Sequence, residues 1–303
     1  MDDSPRPAVR LLKFLIAAVF YVMSEGWRAV MQLVGRSQPP SAMVIYYHHV
    51  LAEHRKQFTH QLDHLMRWTR PLCADLSEPM APNGRYAIVT VDDGWKSFAD
   101  NAVPELEARK IPVALFAISD RLGASVDGIE FDRLVTADEL RALPERGVTI
   151  GSHTATHAVM TQVGTSDASR ELRDSRTHLA EVLGRDVTMF CFPYGAYNDA
   201  LIPLCREAGY ERVFTCMPEP AHPSEFVVGR VRVDPTDWPL EFHLKLMGAY
   251  RWLPMAIALK RKLRTAIRGG LHQVVGGPEP SAAEMDLGLD RAKDRDAGRH
   301  LGE

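Results

Sequence analysis

The sequence lacks the features of a nucleic-acid-binding or nucleotide-dependent protein. Its 303 residues carry 36 Lys and Arg against 39 Asp and Glu, a formal net charge of −3 with histidine neutral. No strong positive field is therefore available to attract a phosphate backbone. Neither GxxxxGK[ST] nor a strand-linked GxGxxG occurs, and these are the motifs that hold nucleotide phosphates. A hydrophobic share of 46% with 25% charged residues predicts a globular protein with a sizeable core and no nucleic-acid partner.

Cysteine is scarce, and its spacing is uninformative. The four cysteines form no CxxC pair, which argues against a zinc knuckle, a redox pair or a dense disulfide framework. Scattered buried thiols are the prediction, and they fit a reducing compartment without requiring one. The residues concerned are Cys73, Cys191, Cys205 and Cys216.

The sequence also lacks a long uncharged run. In its most apolar segment, residues 11–34, three charges leave an uncharged run of only 11 residues, Phe14–Ser24, against the roughly 20 needed to span a bilayer. Basic residues precede the run as in a signal peptide, but no clear small-x-small cleavage site follows it. We predict an amphipathic helix that lies on a membrane or packs on the domain, with an uncleaved anchor as the alternative.

A second amphipathic segment lies near the other end. Apolar residues recur every fourth position from Met255 to Leu271, with basic residues and no acid between them, which is typical of a helix on anionic lipid. An ordinary solvated face is the alternative. The predicted organisation is a membrane-associated helix in residues 1–40, a folded domain in 41–247, a basic helix in 248–275 and a disordered tail in 276–303.

Apolar, β-rich runs alternate with helical patterns through the central domain. The predicted strands are Met43–Tyr47, Tyr86–Val91, Pro112–Ile118, Val148–Ile150, Thr188–Phe192, Val213–Cys216 and Phe226–Val233. The predicted helices are Gln57–Trp68, Phe98–Arg109, Ala137–Leu143, Ser166–Leu183 and Asn198–Glu207. About seven strands alternating with helices predict an α/β fold with a parallel sheet. Several strands end in polar clusters, which favours a barrel because a barrel brings its strand ends to one mouth.

Two histidine pairs have a spacing of four residues, and one of them follows a predicted strand. His60 and His64 lie inside a helical pattern with no acidic strand end nearby, which favours a surface or packing role. His153 and His157 follow the strand Val148–Ile150 in the segment GSHTATH, where a loop can direct both imidazoles at one point. Two imidazoles need a third ligand, usually a carboxylate, to hold zinc with an open position for water.

That carboxylate is available where the strand Tyr86–Val91 ends in Asp92, Asp93 and Gly94. Adjacent acids repel one another unless a cation separates their roles, and Gly94 permits a sharp turn after them. One Asp can bind a metal while its neighbour takes a proton from metal-bound water. A plain Asp-Gly turn is the alternative, but the histidine segment favours the metal site.

These motifs resemble those of the polysaccharide deacetylases with the NodB homology domain, carbohydrate esterase family 4. The family's T-F/V-D-D-G motif matches Thr90–Gly94, and its H-S/T-x-x-H motif matches His153–His157. Its R-x-P-Y motif is matched only in part by Cys191–Tyr194, and its D-x-x-D-W motif is matched by Asp234–Trp238. The resemblance covers roughly Ser41–Met247, in family order.

The resemblance implies a distorted (β/α) barrel that removes N-acetyl groups from a GlcNAc-type polysaccharide. If the two flanking helices bind a membrane, a lipid-linked sugar or a nascent exopolysaccharide becomes the more natural substrate. Zn²⁺ is the usual ion, with another divalent transition metal as the alternative. When the family's roles are transferred to the matching positions of this sequence, Asp92 corresponds to the general base that activates metal-bound water. Asp93, His153 and His157 correspond to the metal ligands. The backbone N–H of Tyr194 is then the oxyanion donor. A metal and a fixed N–H are what amide hydrolysis requires.

Further residues are expected on the substrate side of this site. Trp95 and Trp238 are candidates to line the acetyl or sugar site, although large aromatic residues are more often packed. Pro193, Tyr194 and Arg232 are expected there as well.

The family's Arg of the third motif, which usually orients the base, is Cys191 here. Along the predicted strand Phe226–Val233, alternation puts Arg230, Arg232 and Asp234 on one face. We predict that Arg230 or Arg232 becomes the partner of Asp92; a surface salt bridge is the alternative.

The family's late L-x-H motif, whose His protonates the leaving amine, is also missing. His243 lies in a helical pattern and His272 lies beside the predicted tail. The early strand in MVIYYHHV is similar to the opening strand of the circularly permuted poly-N-acetylglucosamine deacetylases, in which the acid histidine precedes the Asp pair. We therefore predict His48 as the general acid, with His49 as the alternative.

The fourth motif leaves two roles open. Asp234 is expected at the site, where it orients the acid histidine or Arg232. Asp237 either acts there too or caps the helix that starts near Trp238.

Three other functions stay open at this point: an O-acetyl esterase, a non-sugar amide hydrolase, and a carbohydrate-binding or scaffold protein without turnover. Membrane association is favoured, on the cytoplasmic side or through an uncleaved anchor.

Overall fold

The computed structural model describes residues 7–126 and 129–259. The predicted tail and residues 260–275 of the predicted basic helix lie outside the described residues. Within them, residues 253–259 are helical, and the assignment of 41–247 as a separate domain stays a prediction.

The main sheet has nine strands in the order β10-β9-β8-β7-β4-β3-β1-β11, with β2 paired to β3. Every pairing in it is parallel. Its strands are β1 Ala42–Tyr47, β2 Arg70–Pro71, β3 Tyr86–Asp93, β4 Val113–Ala117, β7 Val148–Ser152, β8 Met189–Cys191, β9 Arg212–Phe214, β10 Val227–Val228 and β11 Val231–Arg232. A separate antiparallel pair consists of β5 Ser125–Val126 and β6 Ile129–Arg133. The sheet curls into a half-barrel with helices outside it, which confirms the predicted fold class.

The predicted strand Phe226–Val233 is wrong as a single element. It consists of β10 and β11, which lie at opposite edges of the sheet, so the chain crosses from one edge to the other through Gly229 and Arg230. A Cβ at Gly229 would lie 2.3 Å from the carbonyl oxygen of Met217, so only glycine fits this crossing. The two-residue alternation therefore does not hold: Arg230 is fully buried while Arg232 is exposed.

Both faces of the sheet are buried, as is usual for parallel sheets. Residues that point into the curled sheet form one apolar cluster, which includes Val44, Ile88, Ala114, Phe116 and Phe214. Their neighbours along the strands pack outward against the helices in a second cluster, which includes Ile45, Val89, Val113, Leu115 and Ile150. These two core layers fix the positions of the strand ends, and polar residues follow there.

The α-helices are α1 Pro7–Leu33, α2 Arg55–Trp68, α3 Val103–Ala108, α4 Ala137–Ala142, α5 Thr165–Leu183, α6 Leu201–Glu207 and α7 Pro239–Leu246. The predicted helix Phe98–Arg109 begins instead as a π-helical turn, Phe98–Ala102. Its Pro104 stands early in α3, where the missing N–H of proline is tolerated. In α2, His60 is exposed, and His64 Nε2 lies 2.9 Å from His243 Nδ1, so this pair has the predicted surface and packing roles.

The N-terminal helix α1 is long and apolar enough to cross a membrane by length and composition, although only 6% of its most apolar window is buried. The uncharged run of 11 residues is shorter than this helix. The run ends at the first charged residue, whereas the helix continues beyond it. On the domain side, Ala17 is fully buried, and Phe14, Ala18 and Tyr21 pack against the outer core. The helix thus lies against the domain on one side.

Candidate active site

Polar residues lie at the carboxyl ends of β3 and β7, the two strands that flank β4 in the sheet. β3 ends in Asp92 and Asp93, and Asp93 is in register with Ala117 of β4, which is in register with Ser152 of β7. His153 comes directly after β7. Because the strands are parallel, their carboxyl ends meet at one mouth, as predicted.

Asp93, His153 and His157 converge there as a group that could hold a metal ion. Asp93 Oδ1 lies 3.5 Å from His153 Nε2 and 3.3 Å from His157 Nε2. Ligands about 2.0–2.2 Å from a tetrahedral metal are separated by about 3.3–3.5 Å. The donor types and their spacing both fit a zinc-type site, and the sequence-predicted ligand set is brought together.

Hydrogen bonds fix the orientation of two of these ligands. His153 Nδ1 lies 2.8 Å from the carbonyl oxygen of Cys191, which directs Nε2 at the group, the usual arrangement of a metal-bound histidine. Trp95 Nε1 donates to Asp93 Oδ2 over 2.9 Å, leaving Oδ1 toward the histidines. Burial lowers the pKa of His153 to about 4, so the ring is neutral and able to bind a metal near pH 7.

The histidine loop is held in a strained shape by its neighbours. Thr154 and His157 adopt left-handed backbone angles, with φ of 65° and 70°, and Thr154 Oγ1 accepts a hydrogen bond from the His157 N–H over 2.9 Å. The Glu171 carboxylate on α5 accepts hydrogen bonds from the N–H groups of Ala155 and Thr156, each over 2.9 Å. Strain of this kind persists where surrounding contacts compensate for it, and it concentrates at functional sites.

Asp92 is paired with Arg230 inside the curled sheet. Arg230 Nη1 and Nη2 donate to the two carboxylate oxygens over 2.7 and 2.8 Å, and both side chains are nearly inaccessible. Burial alone would raise the pKa of Asp92, but the charge and hydrogen bonds of Arg230 hold it below its ordinary value. The predicted replacement of the missing family Arg is confirmed for Arg230, although it acts from the β10–β11 crossing and not from a regular strand.

Cys191 lies beside this ion pair. Arg230 Nη2 donates to Cys191 Sγ over 2.8 Å, and the thiol lies 3.8 Å from Asp92 Oδ2. Burial raises the pKa of this thiol well above its ordinary value. Asp92, His153 and Cys191 also form a possible metal group by distance, but the Arg230 cation contacts two of its members, so a second cation is disfavoured there.

The two candidate acid histidines have different surroundings. The charges of Asp93 and Asp92 both act on His48, while burial, the largest effect, lowers its pKa below the ordinary value. His49 Nδ1 lies 3.2 Å from Asp132 Oδ2, and its ring packs 4.2 Å from the Trp95 ring. The structure therefore puts His48 in the electrostatic field of the Asp pair and His49 against a separate carboxylate.

Tyr194 lies at the same mouth. It has a left-handed φ of 59° in a short 3₁₀ turn, Pro193–Gly195, and its ring centroid lies 4.8 Å from that of His157. A Cβ at Gly195 would lie 2.6 Å from Cys216 Cβ, so glycine is required there. The turn places the Tyr194 ring beside His157, one member of the metal group.

The fourth motif is arranged differently from the expectation. Asp234 Oδ1 accepts hydrogen bonds from the N–H and hydroxyl of Thr236, over 2.9 and 2.6 Å, so this carboxylate stabilises its own turn. Asp237 does not cap α7: its Oδ2 accepts from the Asp234 N–H over 3.0 Å and from Lys245 Nζ over 2.7 Å. The alternative role of Asp237 as the N-cap of α7 is therefore wrong.

Two predicted substrate residues, Arg232 and Trp238, flank this turn in the sequence. Trp238 packs against Phe14 of α1 with ring centroids 5.7 Å apart, and the Arg10 guanidinium lies 4.7 Å from its ring centroid. Arg232 is exposed and acts electrostatically on His48 and Asp234. Trp95, in contrast, is buried against Asp93. The contacts of Trp238 on α1 could not be inferred from local sequence.

Comparisons with known proteins agree with this geometry. Residues 80–213 match the family model described as polysaccharide deacetylase. The Bacillus subtilis (strain 168) protein YxkH, provisionally named a polysaccharide deacetylase, is 23% identical over 162 residues. That match spans about half of each protein, 53% of this chain and 56% of the relative.

Solved structures share the fold. IcaB from Ammonifex degensii is 25% identical with a TM-score of 0.61, over 69% of this chain and 98% of that chain. The Streptococcus pyogenes deacetylase PplD, in complex with acetate, is 19% identical with a TM-score of 0.59, over 69% of this chain and 99% of that chain. The match to the family model, residues 80–213, covers both the Asp pair and the histidine loop. Residues 80–213, which carry the Asp pair and the histidine loop, are therefore similar to the polysaccharide deacetylase family.

Proposed function

We propose that this chain is a metal-dependent N-deacetylase that acts on an N-acetylated glycan or lipid-linked sugar. The observation that carries the proposal is the division of the Asp pair. Asp93 Oδ1 faces the Nε2 atoms of His153 and His157, while both carboxylate oxygens of Asp92 accept hydrogen bonds from Arg230. One carboxylate is thus available as a ligand and the other as a base.

The proposed metal is zinc, held by Asp93, His153 and His157. When bound, zinc would acidify a water molecule and polarise the acetyl carbonyl. The neutral His153 ring and the ionised Asp93 carboxylate are in the states that metal ligands need. Burial would raise the pKa of Asp93, but contacts with His157 and the neighbouring histidines lower it.

Asp92 would accept the proton of the attacking water. A base must be ionised before the reaction, and the Arg230 ion pair keeps Asp92 ionised although it is buried. The Tyr194 N–H would donate to the oxyanion that forms on the acetyl oxygen, since the strained turn fixes its direction. These roles rest on the family resemblance together with the Asp92–Arg230 ion pair and the backbone turn at Tyr194.

His48 would protonate the departing amine. Burial is the largest effect on His48 and lowers its pKa, but the charges of both members of the Asp pair act in the opposite direction and favour the protonated ring that an acid needs. We expect His48→Ala to reduce kcat about 10²–10⁴-fold, because an unprotonated amine is a poor leaving group. Steady-state acetate release measures this.

His49→Ala is the matched variant, one residue away and paired with Asp132. It should retain most of the turnover. If His49→Ala loses more activity than His48→Ala, the assignment of the acid is reversed.

Trp95 is expected to position Asp93. Trp95→Phe keeps most of the ring but removes the donor to Asp93 Oδ2, and loss of such an outer hydrogen bond lowers metal affinity about 10–100-fold. Zinc titration with a competing chelator measures the change. Trp68→Phe, on α2, is the control; unchanged zinc affinity in Trp95→Phe would exclude the positioning role.

The proposed function is tested by acetate release from N-acetylglucosamine oligomers before and after metal removal. We expect chelation to abolish release and added Zn²⁺ to restore it. Release from an O-acetylated glycan but not from the N-acetylated oligomers would favour the esterase. Zinc binding without release from either would favour a carbohydrate-binding protein.

A further inference from the structure

The helix α1 has two sides of opposite character. Between Ala8 and Val30, the exposed residues fall within an arc of about 160° at 100° per residue, and all of them are apolar or glycine. They are Ala8, Val9, Leu11, Leu12, Leu15, Ile16, Val19, Val22, Met23, Gly26, Trp27, Ala29 and Val30. We refer to them as the apolar arc. The charged residues of the same stretch, Arg10, Lys13, Glu25 and Arg28, are all on the other, partly buried side.

This arrangement is the reverse of a surface helix in water, which turns its apolar stripe to the core and its charges to solvent. Large side chains remain open on the apolar arc: Leu12 is 58%, Val19 62%, Val22 69% and Trp27 63% exposed. A continuous apolar patch of this length marks an interaction surface.

Polar contacts hold α1 on the domain near both ends. Arg10 donates to Glu241 Oε2 through Nε and Nη2, over 3.0 and 2.6 Å. Glu25 Oε2 accepts from Arg85 Nη2 over 2.5 Å. Between them, the rings of Tyr21 and His243 pack 5.4 Å apart. A helix that crossed a bilayer would lose these partners, so the contacts favour a helix that lies flat with its apolar arc outward.

A basic cavity of about 270 Å³ adjoins one end of the apolar arc. Arg28, Arg85 and Arg251 line it, and Glu25 is the one acid among the described residues that line it. Trp27 belongs both to this lining and to the apolar arc. Positive charge therefore lies where the apolar surface ends, next to a residue type that favours the membrane interface.

We propose that α1 lies in the plane of a bilayer, with the apolar arc among the acyl chains and the basic cavity at an anionic lipid headgroup. A second copy of the chain is a poorer fit, because a partner helix covers only a narrow stripe and would leave much of the arc in water. A bilayer covers the whole arc and supplies phosphate to the arginines. This surface goes beyond the proposed deacetylase function and does not depend on it.

The test is flotation of the purified full-length protein with preformed vesicles of phosphatidylcholine, with and without phosphatidylglycerol. We expect the protein to bind both and to prefer the anionic vesicles. Leu15→Asp should weaken binding roughly tenfold or more, since it puts a charge in place of an exposed apolar side chain that the acyl chains would cover. Arg251→Gln should reduce the preference for phosphatidylglycerol.

Met66→Asp is the matched control, because Met66 is 46% exposed on α2 against 52% for Leu15 on α1. It should bind as the wild type does. Thermal unfolding and acetate release report whether each variant is folded, and Val22→Asp repeats the test if Leu15→Asp does not fold.

Several results would overturn the proposal. Absence of wild-type binding, or full binding by Leu15→Asp, would remove the docking surface, and equal binding to both vesicle types would remove the headgroup site. A lipid-free dimer that Leu15→Asp dissociates would assign the arc to a second copy. An N-terminal fluorophore should be fully quenched by a membrane-impermeant reductant, and a protected fraction would mean that α1 spans the bilayer.

Discussion

Replacing Arg230 with methionine should reduce acetate release about 10²–10⁴-fold and destabilise the protein by about 3–5 kcal/mol. The substitution would leave Asp92 buried without the guanidinium that contacts both of its oxygens. A buried carboxylate without a partner takes up a proton, and a protonated Asp92 cannot act as a base. Turnover and urea unfolding measure the two effects.

The pH dependence of kcat/KM distinguishes loss of the ionised base from a general loss of folded structure. Because Arg230 lowers the pKa of Asp92, the wild-type base stays ionised until the pH falls through that lowered pKa. In Arg230→Met the pKa should rise, so the acidic limb of kcat/KM should move to higher pH. A folded variant with an unchanged profile would contradict the role of Arg230.

Arg232→Met is the matched control, since Arg232 lies two residues away and is exposed. Its stability should change by less than about 0.5 kcal/mol. The double variant Asp92→Asn/Arg230→Met should recover part of the stability lost in Arg230→Met, because it removes both buried charges. If the double variant is the least stable of the set, the buried ion pair is not the source of the effect.

Asp92→Asn and His153→Ala should separate the base from the ligands. Asp92→Asn is expected to keep zinc while turnover falls about 10²–10⁴-fold, because both Asp92 oxygens are paired with Arg230 and Asp92 is not one of the proposed ligands. His153→Ala should lose zinc and turnover together, since one of three ligands is gone. Zinc content and acetate release in the same samples measure both.

His60→Ala controls for the loss of a histidine, because His60 is exposed on α2. It should keep both zinc and activity. Loss of zinc from Asp92→Asn would make Asp92 a ligand, and retention of a full equivalent by His153→Ala would exclude His153.

Local sequence was sufficient where the site depends on strand ends. The Asp92–Asp93 pair and the His153–His157 pair each follow an apolar strand, and a parallel sheet brings such ends together without further information. An Asp and two histidines could therefore be predicted as a metal group before its geometry was known, while the choice of Asp93 as the ligand came from the family resemblance. The preference for Arg230 or Arg232 as the partner of Asp92 came from a missing family residue.

Contacts between distant segments could not be predicted in the same way. The β10–β11 crossing depends on Gly229 meeting the backbone at Met217, so strand alternation gave the wrong face for Arg232. A helix N-cap was the alternative role for Asp237, but its carboxylate accepts hydrogen bonds from the Asp234 N–H and from Lys245. Such partners depend on tertiary packing, which a local pattern does not contain.

The most direct test is an anomalous-difference map at the zinc edge from crystals grown with Zn²⁺. The account predicts one strong peak about 2.0–2.2 Å from Asp93 Oδ1, His153 Nε2 and His157 Nε2, with Asp92 still paired to Arg230. A peak among Asp92, His153 and Cys191, or no peak at the mouth of the sheet, would contradict it.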